Sequence, residues 1–185
     1  MQKYKTLNLP DAFVFIPKKF KDTRGVFFEN FNYKSASEIE NFNFKIFQKN
    51  ISISKKNVLR GLHFQRSPFS QSKIVSVIRG RIFDVIIDLR PKSPYFSKWE
   101  SYILDDKLNE TIYVPQGFAH GFLVLSESAT LTYKVDNYYN LESESGIAWN
   151  DPDLNIDWNM KTEKIIISEK DAKLQSFNDF ISPFE

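Results

Sequence analysis

Short runs of β-branched and aromatic residues, broken by turn-forming residues, recur along the middle of the chain, whereas alanine-rich stretches with a helical period are missing. The pattern predicts strands at Phe13 to Ile16, Val26 to Phe31, Phe44 to Gln48, Val58 to Phe64, Ile74 to Arg79, Arg81 to Leu89, Trp99 to Leu104, Thr111 to Val114, Gly121 to Leu125 and Thr130 to Tyr138. Such a series reads as an all-β sandwich or barrel. Within it, Ile74 to Leu89 looks like two strands joined by a tight turn at Gly80, with Val75, Val77, Phe83 and Val85 as apolar positions. Helix is predicted only at Ser35 to Asn41, capped by Ser35 or Ser37, and at Ser168 to Leu174, with Ser168 as N-cap; both would sit outside the sheets.

Composition narrows the picture. A length of 185 residues, 42% of them hydrophobic and 16% aromatic, fits one domain over residues 1–185 with a substantial core. The 25 basic and 23 acidic residues leave a net charge of +2, too little for a broad polycationic face, so nucleic acid is not an expected partner. The absence of cysteine removes disulfides, thiolate metal sites and thiol nucleophiles, and is compatible with a reducing compartment. No apolar run is long enough for a signal peptide or a bilayer span, which leads to the expectation of a soluble cytoplasmic protein that does not engage membranes.

Candidate chemistry gathers around the two histidines, in Asn57-Val58-Leu59-Arg60-Gly61-Leu62-His63-Phe64-Gln65 and Pro115-Gln116-Gly117-Phe118-Ala119-His120-Gly121-Phe122. Imidazole is the side chain whose ordinary titration falls near neutral pH, so acid-base chemistry would start here. On the first segment Leu62 and Phe64 share a face, while Arg60 and His63 lie close to Gly61, where a missing side chain lets a ligand approach the backbone. A core histidine satisfied by one hydrogen bond is the plainer reading. Arg60 and Lys73 weigh against it, because cations on strands inside a sandwich are costly unless an anion pairs with them. The spacing Pro115-x-Gly117-x-x-His120 is similar to the second motif of the cupin superfamily. The first cupin motif normally carries His-x-His, which here reads His63-Phe64-Gln65. Two histidines and a neutral amide leave a three-ligand site incomplete, so no metal is predicted.

Taken together the segments resemble the dTDP-4-dehydrorhamnose 3,5-epimerases, from Phe20 to about Asp171. The resemblance is carried by Phe20 to Glu29, Gln48 to Ser54, Val58 to Gln65, Gln71-Ser72-Lys73, Phe83 to Arg90, Pro115 to Phe122, Tyr133-Lys134 with Tyr138-Tyr139, Trp149 to Pro152, Ile156-Asp157-Trp158 and Ser168 to Asp171. It implies a cupin-type jelly roll with a few short peripheral helices, a homodimer, no cofactor, and a nucleotide-diphosphate 4-keto-6-deoxy sugar as substrate. A 4-keto group acidifies the protons on C3 and C5, so a base of near-neutral pKa can remove one if the enolate oxygen is stabilised. By resemblance His63 is that base, oriented by Asp171. Lys73 stabilises the enolate, and Tyr133 returns a proton from the opposite face. His120 lines the sugar pocket. Arg24 and Arg60 grip the diphosphate, with Gln48, Asn50 and Lys170 as further contacts, and Phe20, Glu29 and Tyr139 lie near the nucleotide base.

Asn57 stands where the family usually has Gly, and Val135-Asp136-Asn137 and Asn140-Leu141 depart from the usual Thr and Pro near the tyrosine pair. These departures bear on the nucleotide and sugar ends rather than on the mechanism. They leave open a GDP-linked 4-keto-6-deoxy-heptose as substrate, and the sequence also leaves open inversion at C3 or C5 alone. More remote readings are a metal-dependent cupin oxygenase or isomerase and a noncatalytic sugar-nucleotide binding module.

Overall fold

The computed structural model describes residues 3–40, 42–159 and 164–184. Two antiparallel sheets face each other as a jelly roll. The six-stranded sheet runs in the order β1 (Lys3–Thr6), β2 (Phe13–Ile16), β10 (Thr111–Val114), β7 (Lys73–Arg79), β12 (Ser128–Val135) and β5 (Gln48–Lys55). The five-stranded sheet runs β13 (Glu144–Gly146), β6 (Leu59–Gln65), β11 (Phe118–Val124), β8 (Arg81–Asp88) and β9 (Trp99–Asp105). A separate hairpin pairs β3 (Lys19–Asp22) with β4 (Gly25–Phe28). Among the described residues no helix is long and apolar enough to cross a membrane.

The period of two along each strand sorts side chains between the layers. On β8, Ile82 and Ile86 point into the core between the sheets, with Val75, Val77, Ile112, Phe118, Phe122 and Leu131. Their neighbours Phe83, Val85 and Ile87 point the other way and are covered by the C-terminal segment through Trp158, Phe177, Phe180 and Phe184. Residues 31–40 and 42–44 cover the outer face of the six-stranded sheet, where Phe44 and Ala36 pack on Phe13, Phe15 and Tyr113.

One strand breaks the period. Across β6 and β11, His120 is opposite His63 and Phe122 is opposite Arg60, so three steps on β6 match two on β11. The extra residue forms a β-bulge at Gly61, which adopts φ +128°. Leu59 and Leu62, three apart, both reach the outer core, and Arg60 and His63 both reach the cavity described below. Only glycine fits at the bulge: a Cβ on Gly61 would lie 2.5 Å from Gly121 Cα and 2.9 Å from the His120 carbonyl oxygen.

Several sequence expectations need correction. Phe44 to Gln48 is not a strand: Phe44 is buried by packing on the aromatic cluster, and pairing begins only at Gln48. The strands either side of Gly80 are not a hairpin, because β7 and β8 lie in different sheets and Gly80, at φ +89°, turns the corner between them. The first helix is one turn, α1 (Tyr33–Ala36), and Asn32 caps it by accepting from Ser35 N at 3.2 Å, three residues ahead of the earlier predicted cap. Asn41, the predicted end of that helix, lies outside the described residues. Near the C-terminus a 3-10 turn, Asp171–Lys173, replaces the predicted helix, although Ser168 does act there: its Oγ accepts from Asp171 N at 3.1 Å.

Candidate active site

The open side of the roll holds a cavity of about 710 Å³, well within the range of small-molecule sites. Its floor is β6, β11, β7 and β12, and its rim is β5, β13 and the segment 166–171. Of the residues singled out from sequence, His63, Lys73, Tyr133, Asp171, Arg60, Gln48, Asn50, His120, Tyr139 and Lys170 all line it. Phe20, Arg24 and Glu29 do not. Phe20 and Arg24 sit on the β3–β4 hairpin and Glu29 directly follows it; Phe20, Val26 and Phe27 of this hairpin are exposed, and Arg24 pairs with its own neighbour Asp22 at 2.6 Å. A second hollow, outside the six-stranded sheet and lined by Leu9, Phe13, Phe42 and Tyr113, gathers none of these residues.

His63 Nε2 lies 2.8 Å from Asp171 Oδ1, and Asp171 Oδ2 accepts from Gly61 N at 3.2 Å. Burial pushes the Asp171 carboxyl up, but the hydrogen bond and charge of His63, with the donors at Gly61 and Ser168, outweigh it and hold it below the ordinary carboxylate range. An ionised carboxylate only accepts, so Nε2 carries the hydrogen and Nδ1 is left with its lone pair, the form a general base needs.

Lys73 Nζ donates to the His63 carbonyl at 3.2 Å. Burial lowers its pKa to about 8, opposed by the charges of Asp84 and then Glu144. Burial also raises the Tyr133 phenol, Arg60 pulling it down and Glu144 adding to the rise. Arg60 is steadied by a 3.0 Å hydrogen bond from Nε to Ser54 Oγ, and Gln48 Nε2 donates to Asn50 Oδ1 at 2.7 Å along the inward-facing polar row of β5.

Two acidic residues belong to the site that the sequence reading did not single out. Asp84 accepts from His120 Nε2 at 2.8 Å beneath the cavity floor. The signal for it was present: a carboxylate at an inward position between Ile82 and Ile86. Glu144 gathers Tyr139 and Lys170 at the rim, the tyrosine hydroxyl donating at 2.7 Å and Lys170 pairing with the same oxygen. That hydrogen bond is the main reason the Tyr139 phenol is pushed up to about 12. On a three-residue strand between loops, Glu144 carried no pattern that sequence could reveal.

Two of the departures noted in sequence, Asn57 and Asp136, have structural explanations. Asn57 adopts φ 66°, a left-handed turn that asparagine tolerates where glycine would also fit. Asp136 ties down the loop ahead of Lys73, accepting from Ser72 N at 2.6 Å and Gln116 Nε2 at 3.1 Å.

This arrangement sets a base, a cation and a phenol around one polar-floored cavity, which suits proton transfer at carbon next to a carbonyl. A sequence profile of the dTDP-4-dehydrorhamnose 3,5-epimerase family matches residues 6–179. The dTDP-4-dehydrorhamnose 3,5-epimerase of Escherichia coli (strain K12) is 43% identical over 173 residues, 94% of this chain and 93% of that protein. The crystal structure of the same-named enzyme from Elizabethkingia anophelis NUHP1 superposes with a TM-score of 0.93 at 44% identity, covering 96% of this chain and 97% of that one. The dTDP-6-deoxy-D-glucose-3,5-epimerase of Legionella pneumophila Philadelphia 1, in complex with dTDP-4-keto-L-rhamnose, superposes with a TM-score of 0.92 at 39% identity, covering 98% and 95%.

Proposed function

The chain belongs to the dTDP-4-dehydrorhamnose 3,5-epimerase family, and we propose that it inverts C3 and C5 of a dTDP-linked 4-keto-6-deoxy hexose through the residues of this cavity. It is a carbohydrate epimerase, an isomerase acting on a nucleotide-linked 4-keto sugar. The observation that carries the residue roles is the His63–Asp171 pair, held in the same cavity as Lys73 and Tyr133.

His63 Nδ1 takes the proton from the carbon next to the 4-keto group. The C–H electron pair forms a C=C bond and the carbonyl becomes an enolate oxygen, which the Lys73 ammonium stabilises. Tyr133 then protonates the carbon from the opposite face, and solvent restores the phenol and clears the imidazolium, so the net change is inversion alone. Arg60 suits a diphosphate oxygen, and Tyr139 offers an aromatic face to the base. The positions of Asn57 and Asp136, in a turn and in a loop brace, give those departures a conformational meaning, and the similarity to relatives named for dTDP-linked sugars supports the dTDP hexose over the GDP-linked heptose.

Incubating the enzyme in heavy water with a panel of dTDP- and GDP-linked 4-keto-6-deoxy sugars, followed by NMR, tests this directly. Deuterium entering C3 and C5 of the dTDP hexose with inversion is the expected result. Entry only with the GDP heptose, or at one carbon only, would sink the substrate or the double inversion respectively.

The working unit is proposed to be a homodimer in which each β3–β4 hairpin serves the other subunit's cavity. Phe27 is 68% exposed and Phe20 51%, an apolar surface open to solvent, and Arg24 and Glu29 lie off their own cavity. Mixing an Arg24→Ala chain with a His63→Ala chain, each impaired alone, should recover activity, since one cavity of the hybrid would receive both native residues. No recovery from exchanging subunits would place Arg24 in its own chain's service.

A further inference from the structure

The alternation that builds β8 sets Asp84 on the inner face between Ile82 and Ile86, both members of the inter-sheet core. A carboxylate thus occupies a core position with no solvent exposure, a placement that is strongly unfavourable unless its charge is compensated. Its Oδ2 is bonded to His120 Nε2 at 2.8 Å. The ladder pairs His120 with Ile86 and Phe122 with Asp84, so the imidazole reaches the carboxylate along the diagonal of the inner face. Oδ1 is buried and accepts no hydrogen bond from the described residues.

The other carboxylates at the cavity are committed. Asp171 holds His63 and Gly61 N, and Glu144 holds Tyr139 and Lys170. Lys73 enters the same inner space from the facing sheet, at the head of the row that continues through Val75 and Val77. The titratable and charged groups facing it are His63 and Arg60 from β6, His120 from β11, Tyr133 from β12, Glu144 from β13 and Asp171 from the 3-10 turn, with Asp84 beneath them on β8 and Asp136 bonded to the preceding Ser72 N.

Building on the epimerase reading, we infer that Asp84 is a positioning residue: it holds the His120 ring by Nε2–H, leaving Nδ1 for the cavity, and is the buried counter-charge that keeps the Lys73 ammonium protonated beside the 4-keto oxygen. Two elements from different sheets are thereby tied to one oxygen pair, Oδ2 serving the ring through a hydrogen bond and Oδ1 serving the ammonium through its field. Burial drives the lysine toward the neutral amine, which could not stabilise an enolate by charge, and Asp84 is the foremost group pulling the other way. The sign is fixed: the ammonium exists below its pKa, so loss of the Asp84 charge moves the alkaline limit of activity to lower pH.

The test is a titration of Lys73 by 15N-lysine NMR in the full chain without substrate, for the native protein and for Asp84→Asn, beside the pH profile of kcat. Native Lys73 should titrate near 8. In folded Asp84→Asn both that midpoint and the alkaline limb of kcat should fall by about one unit, the lower end of what an opposite charge produces. A midpoint that stays put in a folded variant overturns the inference. If the variant does not fold, the native protein still decides: the His120 Nε2–H resonance must step at the pH where Lys73 titrates, because both share one carboxylate, and a featureless His120 resonance overturns it. The NMR midpoint is independent of turnover. A native enzyme with no deuterium exchange at any pH would refute the epimerase reading while leaving the Lys73 comparison intact.

Discussion

His63→Ala is expected to abolish deuterium entry at both C3 and C5 and to lower kcat by roughly 10⁴-fold, the upper end of what a positioned general base contributes. The size follows from the surroundings of the ring. Asp171 holds Nε2–H at 2.8 Å and is itself fixed by Gly61 N and Ser168 Oγ, so the lone pair on Nδ1 is presented without reorganisation. The other histidine cannot substitute, because His120 is engaged by a different carboxylate on the neighbouring strand. KM should change little, since the base's main contribution is made in the transition state. Measuring exchange by NMR separately from turnover makes the result decisive: a variant that still washes in deuterium at the native rate removes His63 as the base.

Tyr133→Phe should have an equally large effect on a different observable. Without the phenol the enolate still forms, because His63 and Lys73 remain, and the proton can return only from the face it left. Deuterium then enters with the original configuration retained, and inversion falls by about 10²–10⁴-fold relative to exchange. The phenol is raised by burial, so it stays protonated as a donor across the working range. Time courses of deuterium entry and of product formation, run on one sample, give the ratio directly. Parallel loss of both would make Tyr133 part of the base machinery instead.

How much of this could be read from the chain differs element by element. Phe13–Ile16 and Thr111–Val114 were legible to the residue because apolar runs there are bounded by turn-formers. The strand Lys3–Thr6 was not, since all four of its residues are exposed and nothing in them alternates. The strand Gln48–Lys55 inverts the usual rule: polar Gln48, Asn50, Ser52 and Ser54 face inward while Ile51 and Ile53 are exposed, so a search for buried apolar positions lands on Phe44 to Gln48 instead. That inversion is itself informative, because polar inward faces belong to strands that line a ligand space.

The site was legible mostly where a residue's chemistry conflicted with its strand. Arg60, His63 and Lys73 stood out as polar groups among apolar neighbours, and all three reach the cavity. Asp84 stood in the same conflict, one strand away, and its partner became visible only when the ladder set it diagonally from His120. Glu144 needed the tertiary structure outright, as its role comes from a tyrosine and a lysine brought together at the rim.

The insertion at Gly61 has a consequence for how the site is inherited. Arg60 and His63 are three positions apart, and on an uninterrupted strand an odd spacing sends two side chains to opposite sides. The bulge in β6 is therefore what converts an anion grip and a base into neighbours, and pairing the same residues in unbroken register would turn the imidazole toward the C-terminal shell without altering any reacting group. By this reckoning a glycine with no functional atom is as much a part of the chemistry as the histidine two places on, and a chain could keep every polar residue of the site yet lose its activity through arithmetic alone.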